Sequence, residues 1–156
     1  MKLEIHNMAG HLIRRLNQIS LSVFQERTKA AGFAITSVQF AAMNAIRANP
    51  GLDQASLAGL IAYDRATIGG VVDRLAGRGL VERAVCAHDR RAKTVTLSAA
   101  GEALLQELIP VVRGIQDDIL AGLDPEERDE FLRLAAKIAE AGNHLSRAPL
   151  HLPRKE

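Results

Sequence analysis

The residues best suited to chemistry lie in the stretch CAHDRRAKTVTLS at 86–98. Arg90, Arg91 and Lys93 fall between two strand-like runs, so we expect them at the tip of a hairpin. Cations in that position suit the phosphates and narrow minor groove of DNA, although the same pattern is typical of a solvated turn. Asp89 is unsuited to contact DNA, and we expect it to hold Arg91 in a charge-assisted hydrogen bond that shapes the tip.

The segment before this hairpin predicts the other half of a DNA-binding module. Residues 52–97 read as two short helices joined by a tight turn and followed by two strands, which is the order of a winged helix-turn-helix. In such a module the second helix enters the major groove, with its N-terminal end at the base edges and phosphates. Its predicted open face carries Arg65, Thr67, Gly69, Gly70, Asp73 and Arg74.

Two adjacent glycines inside that helix call for an explanation. Each destabilises a helix interior by about 1 kcal/mol relative to alanine. The pair Gly69 and Gly70 therefore favours a close approach of the helix backbone to DNA. Packing of one glycine against the preceding helix is the alternative, and the sequence leaves it open.

Charge is distributed unevenly along the 156 residues, although the net charge is only +2. Residues 64–100 carry seven basic and four acidic side chains, whereas residues 101–142 carry four basic and ten acidic ones. This asymmetry would turn the central segment toward a polyanion and keep the acidic segment away from it.

The rest of the chain predicts helices that hold this module. With four Phe, one Tyr and no Trp, the apolar residues are mostly those that pack helices, so the fold class is mainly α with a small β-hairpin wing. Apolar residues at three- and four-residue steps predict a first helix over Ile5–Ala30. Thr36, Ser98 and Asp124 are predicted N-caps of later helices, with Gln39 completing a capping box at Thr36.

These elements predict three parts and a dimer. Residues 1–34 and 98–146 form a helical dimerisation region, residues 35–97 form the winged helix-turn-helix DNA-binding domain, and residues 147–156 form a flexible tail. The terminal helices carry apolar stripes that a small winged domain cannot cover, so we expect a homodimer. Two-fold pairing would place the recognition helices about 34 Å apart, which suits an inverted repeat in double-stranded DNA. A monomer with a closed helical bundle is the alternative.

The stretches ATIGGVVDRLAGRGLVER and HDRRAKTVTLSAAGEAL resemble the recognition helix, wing and following helix of MarR-family transcription regulators, among them nicotinate-catabolism repressors. The resemblance covers nearly the full length. It implies a dimer that binds a pseudo-palindromic operator and is released by a small phenolic compound or aromatic carboxylate. The chain departs from the family pattern at Gly69 and Gly70, where polar residues are usual. The implied DNA-facing residues are Arg65, Thr67, Gly70, Arg74 and, in the wing, Arg91.

An effector pocket is expected between the dimerisation helices and the winged domain. Asn17 and Ser20 interrupt an apolar face of the first helix, Ser37 opens the second helix nearby, and His11 and Arg14 could pair with a carboxylate. Each also has an ordinary structural explanation, as a backbone cap, a small residue at a helix crossing, or a solvated charge.

Other functional classes find no support in the sequence. We find no glycine-rich phosphate loop, nucleophile elbow or metal-spaced histidine set, so we expect no enzyme activity, cofactor or bound metal. The absence of an apolar run of about 18 residues and of a signal peptide predicts a cytoplasmic protein without a membrane partner. The sequence therefore predicts a homodimeric, ligand-responsive repressor that binds DNA. The alternative is a winged-helix protein-interaction module without sequence-specific DNA binding.

Overall fold

The computed structural model describes residues 3–85 and 93–152. Its helices and strands confirm the mainly α class with a small wing. In chain order they are a 3-10 helix Glu4–Asn7, α1 Ala9–Ala30, α2 Ser37–Ala48, β1 Leu52–Asp53, α3 Gln54–Leu60, α4 Arg65–Gly77, β2 Val81–Val85, β3 Lys93–Leu97, α5 Ala99–Ile119, α6 Pro125–Ala141 and a 3-10 helix Asn143–Leu145.

Local hydrogen bonds fix where these helices begin. The Thr36 hydroxyl accepts from the Gln39 amide while the Gln39 side chain accepts from the Thr36 amide, which is the predicted capping box. Asp124 and Glu127 form the same arrangement at α6, where Pro125 occupies the first helical position. Ser98 caps α5 by accepting from the Gly101 amide. The predicted N-caps Thr36, Ser98 and Asp124 are therefore confirmed.

The N-terminal helix is shorter than its apolar pattern predicts. The structure breaks the expected helix over Ile5–Ala30 at Met8, whose backbone is extended, and a 3-10 turn precedes the break. Asn7 and Gly10 flank this position, and both are poor helix formers. No side chain caps α1 there. Apolar periodicity persists across a break of one residue, so it could not reveal this one.

The small sheet has three strands, one more than the predicted hairpin. Its order is β1-β3-β2 and all pairs are antiparallel. Leu52 of β1 pairs with Val95, and Val81 of β2 pairs with Leu97. Gly51, at φ +81°, turns the chain into β1 and donates its amide to the Val95 carbonyl. A strand of two residues has no alternating pattern, so the sequence offered no sign of it.

One core joins the winged domain to α5. The apolar sides of α2, α3 and α4 are fully buried together with Val95 of the sheet, and α5 extends this core through Leu105 and Leu108. At the start of α5 the helix lies directly on the backbone of Leu80, which is possible only because residue 101 is glycine.

The two terminal helices leave apolar faces uncovered in the single chain. Along the N-terminal 3-10 helix and α1 the stripe residues remain 41–49% exposed, and α6 has no buried residue. The stripe comprises Ile5, Met8, Leu12, Leu16 and Ile19. In the described parts of the chain no helix is long and apolar enough to cross a membrane.

Candidate nucleic-acid interface

The start of α4 is held by its own cap. Asp64 accepts from the Thr67 amide at 2.8 Å and from the Thr67 hydroxyl at 2.5 Å. The bond from the Thr67 hydroxyl, and to a smaller extent the bond from the Thr67 amide, hold the pKa of the Asp64 carboxyl below its ordinary value. Asp64 is therefore ionised at neutral pH. Because the Thr67 hydroxyl proton is directed at Asp64, this side chain can present only its oxygen lone pair and methyl group to DNA.

The buried side of α4 determines which residues face outward. Ile68, Val71, Val72 and Leu75 are all fully buried, as expected from the sequence. The opposite side carries Arg65 and Arg74, both exposed. Among the described residues no carboxylate lies within ion-pair distance of either guanidinium. Two exposed cations on one face of a short helix suit the phosphates and base edges of a duplex.

The two glycines of α4 have different surroundings. A side chain at Gly69 would lie 3.3 Å from Nε2 of Gln54, the first residue of α3, so this glycine permits close packing of the two helices. At Gly70 the nearest atom is Nη2 of Arg74 at 3.9 Å, which leaves the backbone open to solvent. Gly69 thus lies against the preceding helix, as the packing alternative expects, whereas Gly70 keeps an open backbone face, and contact of either glycine with DNA stays a prediction.

A contact that sequence reasoning missed ties α4 to the wing. Asp73 lies on the open face as expected, with its side chain 67% exposed, and its carboxylate accepts from Nη2 of Arg83 on β2 at 2.5 Å. This ion pair offsets a negative charge beside the exposed arginines and links β2 to α4. The chain reversal at Gly79, where φ is +69°, brings the two elements side by side.

The wing is described only at its base. Lys93 is exposed at the start of β3, opposite Val85, and lines a polar cleft of about 310 Å³ between the helices and the sheet. The predictions for Asp89, Arg90 and Arg91 fall on residues outside the described ranges and stay predictions.

A second cavity lies where α1 meets α2, with a volume of about 650 Å³. Of the five residues predicted to bind an effector, only Ser37 lines it. His11, Arg14, Asn17 and Ser20 lie nearer the N-terminus of α1, where Arg14 donates to Gln18. The cavity residues are Leu21, Phe24, Gln25, Thr28, Lys29, Gly32, Phe33, Ala34, Ile35, Thr36 and Ser37.

The surroundings of His11 reduce its ability to bind an anion. Partial desolvation lowers its pKa, and the positive charge of Arg14 lowers it further, so His11 is mostly neutral at pH 7. The His6 ring lies 5.7 Å from the His11 ring. In the described ranges no group of three or more His, Cys, Asp and Glu residues could hold a metal ion.

Comparison with known proteins agrees with this geometry. The family model described as MarR family matches residues 35–92. The HTH-type transcriptional repressor NicR of Pseudomonas putida is 35% identical over 138 residues, which cover 88% of this chain and 86% of NicR. Two solved structures each superpose with a TM-score of 0.81 at 30% identity.

The first of these structures concerns regulation of the DNA binding of Bordetella bronchiseptica BpsR by 6-hydroxynicotinic acid, and it covers 89% of this chain and 98% of BpsR. The second is the Streptomyces coelicolor regulator PcaV in complex with its natural ligand, which covers 91% of this chain and 99% of PcaV. A capped recognition helix followed by a wing, together with this identity over most of both chains, establishes that the chain belongs to the MarR family of DNA-binding transcriptional regulators.

Proposed function

We propose that this protein is a homodimeric repressor that binds an inverted-repeat operator and is released by a small aromatic acid. One observation carries the proposal: α4 buries one face completely and presents Arg65, Arg74 and the open backbone of Gly70 on the other. Lys93 adds a cation at the base of the wing. The similarity to NicR, a repressor, and to BpsR, whose DNA binding is regulated by 6-hydroxynicotinic acid, supports repression and this class of effector.

The uncovered apolar faces support the homodimer. Five large apolar residues along the N-terminal helices are each more than two-fifths exposed, and on α6 Ile138 is 65% exposed. Contiguous apolar surfaces of this kind mark protein–protein interfaces. Pairing through the terminal helices would leave both copies of α4 free to read two half-sites.

The cavity at the junction of α1 and α2 supports the effector class. Its volume of about 650 Å³ suits a small molecule. Phe24 and Phe33 supply aromatic walls, Lys29 supplies a cation for a carboxylate, and the Ser37 hydroxyl can hydrogen-bond. We propose that an aromatic acid binds here, with Lys29 rather than the mostly neutral His11 as its main charge partner.

The DNA arm of the test compares salt dependence between variants. Binding to the DNA upstream of the protein's own gene, and to a random duplex, would be titrated at several salt concentrations. Arg74→Gln should reduce the slope of log affinity against log salt by about one unit, since one phosphate contact is lost. Arg113→Gln on α5 is the matched control and should leave the slope unchanged. A flat salt response of the unaltered protein would instead favour the protein-interaction module.

The effector arm adds 6-hydroxynicotinic acid to the preformed complex. Release should require about tenfold more acid for Lys29→Gln, because a charge-assisted hydrogen bond is lost, while DNA affinity without the acid stays the same. The uncharged amide of the same compound is the ligand control and should release poorly. If the acid releases Lys29→Gln and the unaltered protein at the same concentration, Lys29 is not part of the site.

A further inference from the structure

The segment after α6 folds back and is held in place, although composition predicts a flexible tail from residue 147. The Asn143 side chain donates through Nδ2 to the Leu150 carbonyl at 3.0 Å and accepts from the Leu150 amide at 2.7 Å. One side chain thus supplies the two hydrogen bonds that a neighbouring strand would make. They close a loop directly after α6 and direct the chain toward the winged domain.

The next residue bonds to the helix-turn-helix itself. The His151 amide donates to the Gly59 carbonyl at 2.9 Å. Gly59 lies in the last turn of α3, and its carbonyl also accepts from the Ala62 amide at 3.3 Å. The tail therefore adds a second, shorter hydrogen bond to the end of α3 from outside the helix. It does so beside Ala62, which adopts φ +54° in the turn that leads to α4.

The absence of a side chain at Gly59 leaves room for the His151 side chain in this contact. A Cβ added at Gly59 would lie 3.2 Å from both Cβ and Cδ2 of His151. His151 and Leu152 line a cleft of about 500 Å³ together with Arg65, the first residue of α4. The tail thus extends from the end of α6 to the start of the recognition helix.

We propose that residues 143–152 form a strap that fixes the helix-turn-helix relative to α6. The strap thereby preorganises the two winged domains of the dimer for binding to an inverted repeat. The inference rests on the proposed function. A winged domain that is held at both the α5 junction and the turn after α3 loses less conformational entropy when both half-sites are bound. The strap therefore increases affinity for the two-site operator and has little effect on a single half-site.

A matched pair of substitutions at His151 isolates the backbone bond. His151→Pro and His151→Ala both remove the imidazole, but only proline lacks the amide donor. His151→Pro should bind an inverted-repeat duplex about threefold to tenfold more weakly than His151→Ala, with equal affinity for a half-site duplex. Gly59→Leu introduces a good helix former whose side chain would occupy the space of the His151 side chain, so this variant should behave like His151→Pro.

Hydrogen exchange gives a second readout that needs no DNA. The Tyr63 amide, which donates to the Ala58 carbonyl at 3.0 Å, should exchange faster in His151→Pro than in His151→Ala, because the turn after α3 loses its bond to the tail. Unchanged exchange overturns the strap, as does equal weakening on both duplexes or no weakening on either. If the unaltered protein binds neither duplex, the proposed function fails, and the exchange experiment still decides whether the strap exists.

Discussion

At the scale of single residues, Gly101 decides how α5 joins the winged domain. A Cβ at this position would lie 2.0 Å from the Leu80 carbonyl oxygen, far inside contact distance. Two hydrogen bonds fix the same junction, from the Ser98 hydroxyl to the Gly79 carbonyl at 2.6 Å and from the Ser98 amide to the Leu80 carbonyl at 3.1 Å. The first turn of α5 therefore cannot move away to make room.

Gly101→Ala should accordingly lower the free energy of unfolding by about 1–3 kcal/mol, the range typical of overpacked sites. Urea unfolding followed by circular dichroism measures this change. Gly114→Ala in the same helix is the control, because nothing lies within 4 Å of an added Cβ. It should stabilise the protein by about 0.5–1 kcal/mol. Equal stability of the two variants would contradict the close junction.

At the scale of elements, the start of α4 depends on a local signal, whereas its ion pair with the wing depends on a distant one. The cap by Asp64 is readable from the sequence, because it involves a neighbour three residues along. The Asp73–Arg83 ion pair is not readable, because it depends on how β2 leaves the turn at Gly79. The same holds for the position of Gly69 beside Gln54 of α3.

The Asp64 cap predicts a pH dependence of stability. Hydrogen bonds from Thr67 depress its pKa in the folded state below the ordinary value of 3.8. The stabilisation by the carboxylate is therefore complete above that value and is lost as the pH falls through the lower folded-state pKa. Asp64→Asn keeps an acceptor for the Thr67 amide, so its melting temperature should change less between pH 5 and pH 2 than that of the unaltered protein. An identical loss in both would contradict the cap's contribution.

At the scale of the whole molecule, the apolar stripe of α1 needs a second copy. Leu16 lies in the middle of this stripe and is 41% exposed in the single chain. Gln18, two residues further, lies on nearly the opposite side of the helix. The two positions therefore separate an effect on dimerisation from a general effect of charge on α1.

Leu16→Glu should raise the dimer dissociation constant by at least about tenfold, because pairing would bury a carboxylate against apolar surface. Sedimentation velocity over a concentration series measures this constant, and Gln18→Glu should leave it near that of the unaltered protein. A Leu16→Glu protein that dimerises normally would place the interface elsewhere.

The sequence by itself determined the order of the helices, their caps, the buried face of α4 and the resemblance to MarR-family regulators. These features depend on residues a few positions apart, where backbone hydrogen bonds and helical periodicity leave a readable pattern. Only the tertiary structure decided that β1 pairs with β3, that Arg83 neutralises Asp73, and that His151 bonds to α3 at Gly59. Each of these joins residues far apart in the chain, and such contacts depend on the packing of whole elements, which no local pattern encodes.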